Sequence, residues 1–532
     1  MGGERRQLPN KLAKWLLLRN TDPYFATKAS GILWNGLSIA ASEALIAVAG
    51  VKSRQSRRSG RDNVRAKKNT IVIGIDFGTT FSGISWAFAG QPKNIEVITQ
   101  WPSELSFNSD TEKTPSTLLY GTLQDDATWG YSVPAHSTDE CLKWFKLLLI
   151  DPRDLSPELR ESAQIATAKR LLETSNREVV EVISSYLQRL WNHSIDCIAR
   201  STGKGLLRLC TFRVVVTIPA IWPEYSKARM RRAAGDAGIL DIRPAGETVL
   251  SFVTEPEAAA LATLCDLRFR PDIKVALGIP GGDHFVVCDA GGGTVDLTSY
   301  EAVTTDPLVV KEAVKGDGRL CGCLFLDQAF VEMMRSKVGS HVWDALPNEE
   351  IRQLLHNDWE HGIKKQFHGQ DRDWVVTLPY GCRSAADQIS RARKSVLILN
   401  NSDLEPVFCQ IVRQIEDLVK KQVEQVQLKH NKSPKASKSY DTHFSRLWSA
   451  ICRGAVIRGL TQARDSREFP VKIASRIARI SYGTTFYETF NPTIHLNIDR
   501  AWDEKEMKWV ANNQVQWYLK QVRPTKRRAS DG

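Results

Sequence analysis

The sequence predicts an α/β fold in which strands alternate with long helices. Apolar runs that end in an aspartate and a glycine-containing turn occur twice, within 71–88 and 284–300, and each resumes as a second strand. Residues 157–200 and 405–430 carry apolar side chains at helical spacing. Strand pairs separated by long helices favour an α/β architecture.

The elements between these landmarks follow from the same patterns. Ile71–Asp76 is predicted as a buried strand, and Gly83–Phe88 as the strand that completes its hairpin. Arg213–Pro219 is a continuous apolar strand that ends at a proline. The segment 223–239 has the composition of a helix, with Gly238 near its C-terminus.

Length and composition indicate a soluble globular chain. Its 532 residues are enough for about three domains, and a content of 42% hydrophobic and 25% charged residues is ordinary for a protein with a core. The net charge of +12 is uneven, because residues 1–69 hold 14 Lys and Arg against 4 Asp and Glu. The remaining chain is near neutral, so no nucleic-acid partner is expected.

Residues 1–69 are predicted to be a basic, disordered leader. A targeting or nuclear-localisation segment is the alternative, because 51–69 is basic, Ser-rich and poor in acids. The most apolar stretch, 38–51, is interrupted by Glu43 and is short for a bilayer span, so no membrane partner is expected. The ten cysteines lack zinc-site spacing, which indicates a reducing compartment: the cytoplasm, with the nucleus as the alternative.

Two short segments, DFGTT at 76–80 and DAGGGT at 289–294, share one design. Glycines let the backbone turn sharply and come close to a ligand, and successive N–H groups form a concavity for phosphate oxygens. A single glycine turn after a strand is usually only a hairpin. Two copies about 213 residues apart are more specific, and they predict a pair of loops that hold a nucleotide from both sides.

The aspartates at the start of these segments indicate a metal ion. Asp76 and Asp289 would repel phosphate directly, so a cation must stand between them and the phosphate. Mg²⁺ accepts oxygen ligands and keeps several of its waters, which suits this position. The sequence therefore predicts Mg²⁺ beside the two turns.

Five segments in order are IGIDFGTTFSG, VVVTIPAIWPEYSKARMRRAAGDAGI, TEPEAAAL, VVCDAGGGTVDL and the degenerate GDGRLCGCLFLDQAF. Together they resemble the nucleotide-binding part of the 70-kDa heat-shock protein family, over roughly residues 70–465. WFKLLL and GAVIRGL are similar to phrases of its divergent, chaperone-like branch. The resemblance implies a two-lobed, actin-like ATPase fold of the ribonuclease H-like class, with a central nucleotide cleft.

The resemblance also implies a division of the chain. Lobe I is expected at 70–280, and lobe II with a return segment at 281–465. Residues 466–532 are expected to be a truncated C-terminal region, without the full β-sandwich and helical lid of the main chaperone branch.

Particular residues receive roles from the resemblance. Asp76 and Asp289 would hold Mg²⁺ through bound waters, and a further set would bind ATP or ADP. That set is Gly78, Thr79, Thr80, Gly291, Gly292, Gly293, Thr294, Gly316, Glu360 and Lys364.

Lys146, Glu255 and Thr294 are implied to be catalytic. Lys146 falls where the family keeps its catalytic lysine, which offsets charge on the transferring phosphoryl group. Glu255 resembles the carboxylate that orients the attacking water. Each has an ordinary alternative: Lys146 as a lysine on an amphipathic helix, and Glu255 as an acid favoured at a helix N-terminus.

One motif of the family is absent from the sequence. A third glycine motif, Gly-Gly after a strand, closes over the adenosine in the family and should follow Val426. Residues 427–455 contain no strand that ends in Gly-Gly. Either the segment has been lost or the gene model is wrong. One wall of the adenosine pocket is therefore expected to be incomplete in this chain.

The functional prediction is a chaperone-like protein that binds ATP and hydrolyses it slowly, with client proteins and co-chaperones as partners. A pseudo-ATPase that serves as an interaction or nucleotide-sensing protein is the alternative. A small-molecule kinase of the same superfamily is less favoured, because TEPEAAAL at 254–261 resembles the chaperone branch.

Overall fold

The computed structural model describes most of the chain from Thr70 onward. The basic leader predicted at 1–69 lies outside the described residues except for Leu18–Arg19, which pairs antiparallel with Lys435–Ala436. The described residues are 18–19, 70–91, 93–103, 111–121, 127–134, 141–155, 157–268, 281–305, 307–367, 369, 371–382, 396–432, 434–436, 448–462, 471–479 and 481–520.

Lobe I is built on a mixed β-sheet that contains the first predicted hairpin. The strands of this sheet are β1 Thr70–Phe77, β2 Phe81–Phe88, β3 Glu96–Val97, β4 Thr114–Pro115, β7 Thr211–Ile218 and β8 Val249–Thr254. Between β4 and β7 in the chain, β5 Leu118–Tyr120 and β6 Ala127–Trp129 form a separate small hairpin. β1 and β2 are antiparallel, whereas β7 and β8 continue beside β1 in parallel. β1 and β7 are almost wholly buried, as expected for central strands that are covered on both faces.

The helices of lobe I cover this sheet. They are α1 Pro157–Arg160, α2 Ala163–Thr174, α3 Val179–Thr202, α4 Lys204–Arg208, α5 Glu224–Asp236 and α6 Glu255–Arg268. The segment 157–200, predicted as helical, is divided into three helices. Ser162 caps α2 by accepting a hydrogen bond from the backbone N–H of Ile165, and Asn176 adopts a positive φ of 50° between α2 and α3.

Lobe II is built on a second sheet that contains the second predicted hairpin. The strands of this sheet are β9 His284–Ala290, β10 Val295–Thr305, β11 Leu308–Arg319 and β14 Val471–Ser475. Between β11 and β14 in the chain, β12 Trp374–Thr377 and β13 Val396–Leu399 form a separate hairpin. β9, β10 and β11 are antiparallel neighbours, and β14 pairs in parallel with β11.

The helices of lobe II and the return segment follow. They are α7 Cys323–Val338, α8 Ser340–Asp344, α9 Asn348–Leu354, a π-helix Leu355–Ile363, α10 Lys364–Gln366, α11 Asn401–His430 and α12 Ala450–Gln462. The long helix begins four residues before the predicted 405, because Asn400 and Asp403 form a reciprocal capping box.

The outer edge of β9 shows where the two lobes differ. In lobe I, β7 lies in parallel beside β1, the first strand of the hairpin. In lobe II, no strand of the described residues pairs with the corresponding edge of β9. This agrees with the sequence, in which the strand and Gly-Gly turn expected after Val426 are absent. An unpaired edge is a site at which another strand can add.

α12 returns the chain from lobe II to lobe I and packs against β1 and α6. The contact is so close that side chains are excluded at two points. A Cβ added at Gly74 would lie 2.3 Å from the carbonyl oxygen of Cys452, and one added at Gly454 would lie 1.8 Å from that of Ala258. Glycine at these positions therefore sets the distance between helix and sheet.

The C-terminal residues form a small separate sheet. Its strands are β15 Tyr482–Thr489, β16 Arg500–Asp503 and β17 Lys508–Leu519, in the order β15-β17-β16. Trp502, Trp509 and Trp517 are each 45–46% exposed on this sheet. Among the described residues, no helix has the length and apolarity that crossing a membrane requires.

We predict that Gly454→Ala destabilises the chain, because the new methyl group would overlap a backbone oxygen that no rotamer change can move. Overpacking of this kind costs about 1–3 kcal/mol. The matched control is Gly205→Ala in α4, where a Cβ would meet no atom within 4 Å. Alanine there should be neutral or stabilise by up to about 1 kcal/mol. Equal denaturant midpoints for the two variants would contradict the prediction.

Candidate functional site

The two glycine turns face each other across the boundary between the lobes. A Cβ added at Gly292 would lie 2.1 Å from Oγ1 of Thr80, and one added at Gly293 would lie 2.9 Å from Oγ1 of Thr79. The threonine hydroxyls of the first turn therefore lie against the glycines of the second. The predicted pairing of the turns, 76–80 with 289–294, is present in the structure.

The first turn is held by Ser116, which lies directly after β4. Ser116 donates its backbone N–H to the carbonyl of Thr80 at 2.8 Å, and its hydroxyl to the carbonyl of Gly78 at 2.8 Å. Because both carbonyls accept hydrogen bonds from Ser116, the protein itself holds the turn in this shape.

The second turn is fixed by the N-terminus of α7. The first N–H groups of a helix have no partner within the helix, and here they donate to the carbonyls of the glycine turn. The pairs are Gly322 to Gly293 at 3.2 Å, Cys323 to Gly291 at 3.2 Å and Leu324 to Gly292 at 3.0 Å. A Cβ at Gly322 would lie 2.5 Å from the carbonyl of Gly292, so α7 requires glycine at this contact.

Asp76, at the end of β1, is buried and makes two polar contacts. Lys113 donates from Nζ to Oδ2 at 2.6 Å, and Thr217 donates from its hydroxyl to Oδ1 at 3.3 Å. The Lys113 side chain is only 11% exposed. Burial alone would lower the pKa of Lys113, but the Asp76 carboxylate outweighs that effect and the pKa is raised. Lys113 is therefore a buried, charged ammonium group in contact with a predicted metal ligand.

Asp289 and Asp296 lie opposite each other on β9 and β10. Burial, together with the nearby carboxylates of Glu255, Asp296 and Asp76, raises the pKa of Asp289 well above its usual range. Burial and the neighbouring Glu255 raise the pKa of Asp296 to about 7. Asp296 Oδ1 accepts from the N–H of Ala220 at 3.0 Å, whereas Oδ2 has no hydrogen-bond partner among the described residues.

Lys146 and Glu255 form a buried ion pair of 2.7 Å, although they are 109 residues apart in sequence. Lys146 is 2% exposed, and its Nζ lies over the rings of Trp222 and Phe77 at 5.2 and 5.7 Å. Burial raises the pKa of Glu255, and the lysine opposes that effect. The structure thus excludes a surface position for Lys146, which lies on a short 3₁₀-helix, Phe145–Leu149.

The position of Glu255 agrees with both interpretations that the sequence leaves open. It is the first residue of α6, where the helix dipole favours an acid. It is also the partner of Lys146 and lies close enough to Asp289 and Asp296 to raise the pKa of both. Thr294, the third implied catalytic residue, is buried, and it lowers the pKa of the Asp296 carboxylate by less than burial and Glu255 raise it.

Glu360 and Lys364 lie together beside the cleft. Lys364 Nζ contacts Glu360 Oε2 at 2.6 Å and Asp327 Oδ1 at 2.8 Å. The thiol of Cys323, which follows the glycine of the α7 N-terminus, interacts electrostatically with all three groups. Across the boundary, Glu360 raises the pKa of Tyr131 in lobe I, although burial of the phenol is the larger cause.

Gly316 is not placed against the glycine turns. A Cβ there would lie 2.6 Å from the carbonyl of Leu297 and 3.2 Å from the guanidinium of Arg479, on the body of β11. Gly322, six residues later in the same GDGRLCGC segment, lies beside the second turn instead. The signal that could have found it is the LCGC tetrapeptide at 320–323, read as the start of a helix.

Two residues of the candidate site, Lys113 and Asp296, were not predicted from the sequence. Lys113 belongs to a loop and its neighbours TEKTPS carry no motif, so only the fold brings it to Asp76. Asp296 lies two residues after Thr294 in GGGTVDL, at alternating strand spacing. An aspartate at this spacing after a glycine turn is a pattern from which Asp296 could have been predicted as a site residue.

The comparisons with known proteins agree with this geometry. The chain is 27% identical to heat shock 70 kDa protein 12B of Homo sapiens over 344 residues, which cover 54% of this chain and 48% of that protein. It is 24% identical to the chaperone protein DnaK of Thermosipho africanus over 369 residues, which cover 68% of this chain and 50% of that protein. This chain is similar to the 70-kDa heat-shock proteins.

The chain also has weak similarity to solved structures. The Spiroplasma citri MreB5 structure bound to ADP has a TM-score of 0.37 and 13% identity, and the match covers 77% of this chain and 92% of that one. No family model matches the chain. The resemblance to the 70-kDa heat-shock proteins is confirmed, and the described residues form the two expected lobes, each with a sheet built around one glycine-turn hairpin. The chain spans about half the length of the curated relatives it matches.

We predict that Lys113→Met increases the affinity of the cleft for a divalent cation by at least about tenfold. The substitution removes a unit charge next to Asp76, and charges about 5 Å apart interact by roughly 3 kcal/mol at an effective dielectric constant of about 20. Binding of Mn²⁺, a paramagnetic substitute for Mg²⁺, would be followed by electron paramagnetic resonance. Lys204→Met, at an exposed lysine of α4, is the control and should leave Mn²⁺ affinity unchanged. Equal affinity in both variants would contradict the prediction.

Proposed function

We propose that this protein binds ATP with Mg²⁺ in the cleft between its lobes and hydrolyses it slowly. The observation that carries the proposal is the buried Lys146–Glu255 pair, which lies among the carboxylates beside two opposed glycine turns. A charged pair is costly to bury, so its position next to a phosphate-binding geometry favours a role in chemistry over one in stability. Proteins of this superfamily generally bind a nucleotide with a divalent metal.

The donor set fits Mg²⁺. Asp76 and Asp289 supply carboxylate oxygens from the two lobes, and Asp296 adds a buried oxygen without a hydrogen-bond partner among the described residues. Mg²⁺ prefers such oxygens and retains waters. Bound Mg²⁺ would neutralise the repulsion that raises the pKa of Asp289, and ATP would supply the phosphoryl group.

The residues of the chain then have distinct tasks. The hydroxyls of Thr79 and Thr80 and the backbone N–H groups of the second turn would donate to phosphate oxygens. Glu255 would orient the attacking water, and Lys146 would hold Glu255 ionised and place positive charge beside the transferring group. Trp222 and Phe77, which cover Lys146, would exclude bulk water from this pair.

A chaperone-like role for the whole protein is part of the proposal. It rests on the relatives named heat shock protein and chaperone, and on nothing in the cleft itself. Client proteins and co-chaperones would be the partners, and the cytoplasm the compartment, with the nucleus as the alternative.

A nucleotide-sensing pseudo-ATPase is the second candidate. Two observations favour it: Lys113 already neutralises Asp76, and in the described residues no strand closes lobe II beside β9. Such a protein would bind nucleotide and change the separation of its lobes without turnover. Hydrolysis, rather than binding, separates the two candidates.

We predict that Asp289→Asn weakens the binding of MgATP at least about tenfold but does not weaken the binding of ATP in EDTA. The carboxylate would act only through the metal, and without metal it repels phosphate. Isothermal titration calorimetry on the full chain measures both affinities, and Asp241→Asn, at an exposed aspartate, is the control. An unchanged MgATP affinity in Asp289→Asn would remove the metal from the proposed site.

We predict that Lys146→Ala retains ATP binding and slows single-turnover hydrolysis by about 10²–10³-fold, the usual cost of one lost electrostatic contact in the transition state. Because the change leaves Glu255 buried without its partner, thermal unfolding must first show that the variant is folded. Lys204→Ala should hydrolyse ATP at the wild-type rate. If the wild-type chain binds ATP without measurable turnover, the pseudo-ATPase candidate stands instead.

A further inference from the structure

Two histidines and a glutamate meet at the far end of the lobe II hairpin from the glycine turn. His284 is the first residue of β9, and Glu301 is its direct partner on β10. His430 is the last residue of α11, which packs across this hairpin. A ligand atom from each side chain lies within 4.8 Å of the other two. The cluster therefore joins three separate elements at one point.

His284 lacks the hydrogen bonds that a buried imidazole requires. The residue is 4% exposed, and neither Nδ1 nor Nε2 has a hydrogen-bond partner among the described residues. Leaving a buried polar group without a partner costs about 1–3 kcal/mol. The structure therefore contains an unexplained buried ligand atom that is directed toward a carboxylate and a second imidazole.

The distance between the His284 imidazole and the Glu301 carboxylate suits two ligands of one metal ion better than a direct hydrogen bond. His284 Nε2 and Glu301 Oε2 are 3.5 Å apart and form no hydrogen bond. Two ligands that bind one tetrahedral Zn²⁺ at about 2.0–2.1 Å are separated by roughly 3.4 Å. The two imidazole rings have their centroids 4.5 Å apart, and a ligand atom of His430 lies within 4.8 Å of those of His284 and Glu301.

His430 is oriented as metal-binding histidines usually are. Its Nε2 is 3.0 Å from the carbonyl oxygen of Ala313 on β11, to which it can donate. Metal-binding imidazoles commonly donate their other N–H to a backbone carbonyl, which fixes the tautomer and leaves the remaining nitrogen free to bind. Here that free nitrogen is Nδ1.

The charges around the cluster are balanced by exposed groups. Lys311 Nζ contacts Glu301 Oε1 at 3.2 Å and is 41% exposed, so it can move away without cost to the core. Lys432 and Asp283 act on His284 in opposite senses. Burial, and then the neighbouring His430, lower the pKa of His284, so the neutral imidazole that binds metals is its normal form.

We propose that His284, Glu301 and His430 form a binding site for Zn²⁺ or a related first-row divalent ion, with water as the fourth ligand. Two imidazoles and one carboxylate are a recognised zinc ligand set. The ion fastens the C-terminus of α11 to the β9–β10 hairpin beside the unpaired edge of β9. The site is separate from the nucleotide cleft and does not depend on the proposed ATPase activity.

The test begins with the metal-free full chain, titrated with Zn²⁺ by calorimetry. One site per chain is expected, and Zn²⁺ should raise the thermal unfolding temperature of the wild type. Each of His284→Gln, Glu301→Gln and His430→Gln should weaken Zn²⁺ binding at least about 100-fold, since even the loss of an outer-shell partner costs about 10–100-fold. His341→Gln, at an exposed histidine of α8, is the matched control.

Co²⁺ provides a second measurement that separates this site from the ten cysteines of the chain. The visible bands of a tetrahedral nitrogen and oxygen site are expected, without a thiolate-to-cobalt charge-transfer band. If a single-site variant fails to fold, the other two variants still test the proposal. Wild-type chain that binds no more Zn²⁺ than the triple variant H284Q/E301Q/H430Q, or a dominant thiolate band, would overturn it.

Discussion

The structure depends on a balance of buried charge at the boundary between its lobes. Four carboxylates and two lysines lie close together there; four of these six groups are buried, and Lys113 and Asp289 are partly exposed. The groups are Asp76, Lys113, Lys146, Glu255, Asp289 and Asp296. Burial, and then the neighbouring Glu255 carboxylate, raise the pKa of Asp296 to about 7, because a buried carboxylate beside another acid is costly to ionise. This group of charges carries more acids than lysines, which agrees with the proposed binding of a cation together with an anionic ligand.

Hydrogen bonds to the backbone of the two turns, together with close backbone packing, hold these groups in position. The turn after β1 is bonded to Ser116, and the turn after β9 is bonded to the first N–H groups of α7. Close helix packing at Gly74 and Gly454 holds the lobe I sheet against the return segment. The chain then continues into β14, and Arg476, the residue directly after this strand, makes a bidentate ion pair with Glu257, two residues beyond Glu255. The helix that begins with Glu255 is thus also held from the C-terminal side of the chain.

Much of this could be predicted from the sequence, because it is encoded locally. The hairpins, the two glycine turns, and Glu255 at a helix start each occupy a few consecutive residues with a recognisable pattern. Lys146 was placed through family resemblance, and only the structure shows its burial. Lys113 and the His284–His430 pair were not predicted, since their partners lie 37 and 146 residues away and no local pattern marks them. The division of 157–200 into three helices depended on a cap and a positive-φ residue that periodicity does not report.

The contact between the two turns has a consequence for the time course of ligand entry. With the glycines of one turn resting on the threonine hydroxyls of the other, a phosphate chain cannot slide in from solvent. Under the proposed function, the lobes would have to separate first, and the rate of that step would not depend on the concentration of ligand. Loading would then reach a ceiling as ligand concentration rises, with the ceiling set by a hinge-type motion on the microsecond-to-millisecond scale or slower. A factor that parts the lobes would accelerate filling and emptying alike, so the boundary between them is where exchange can be controlled.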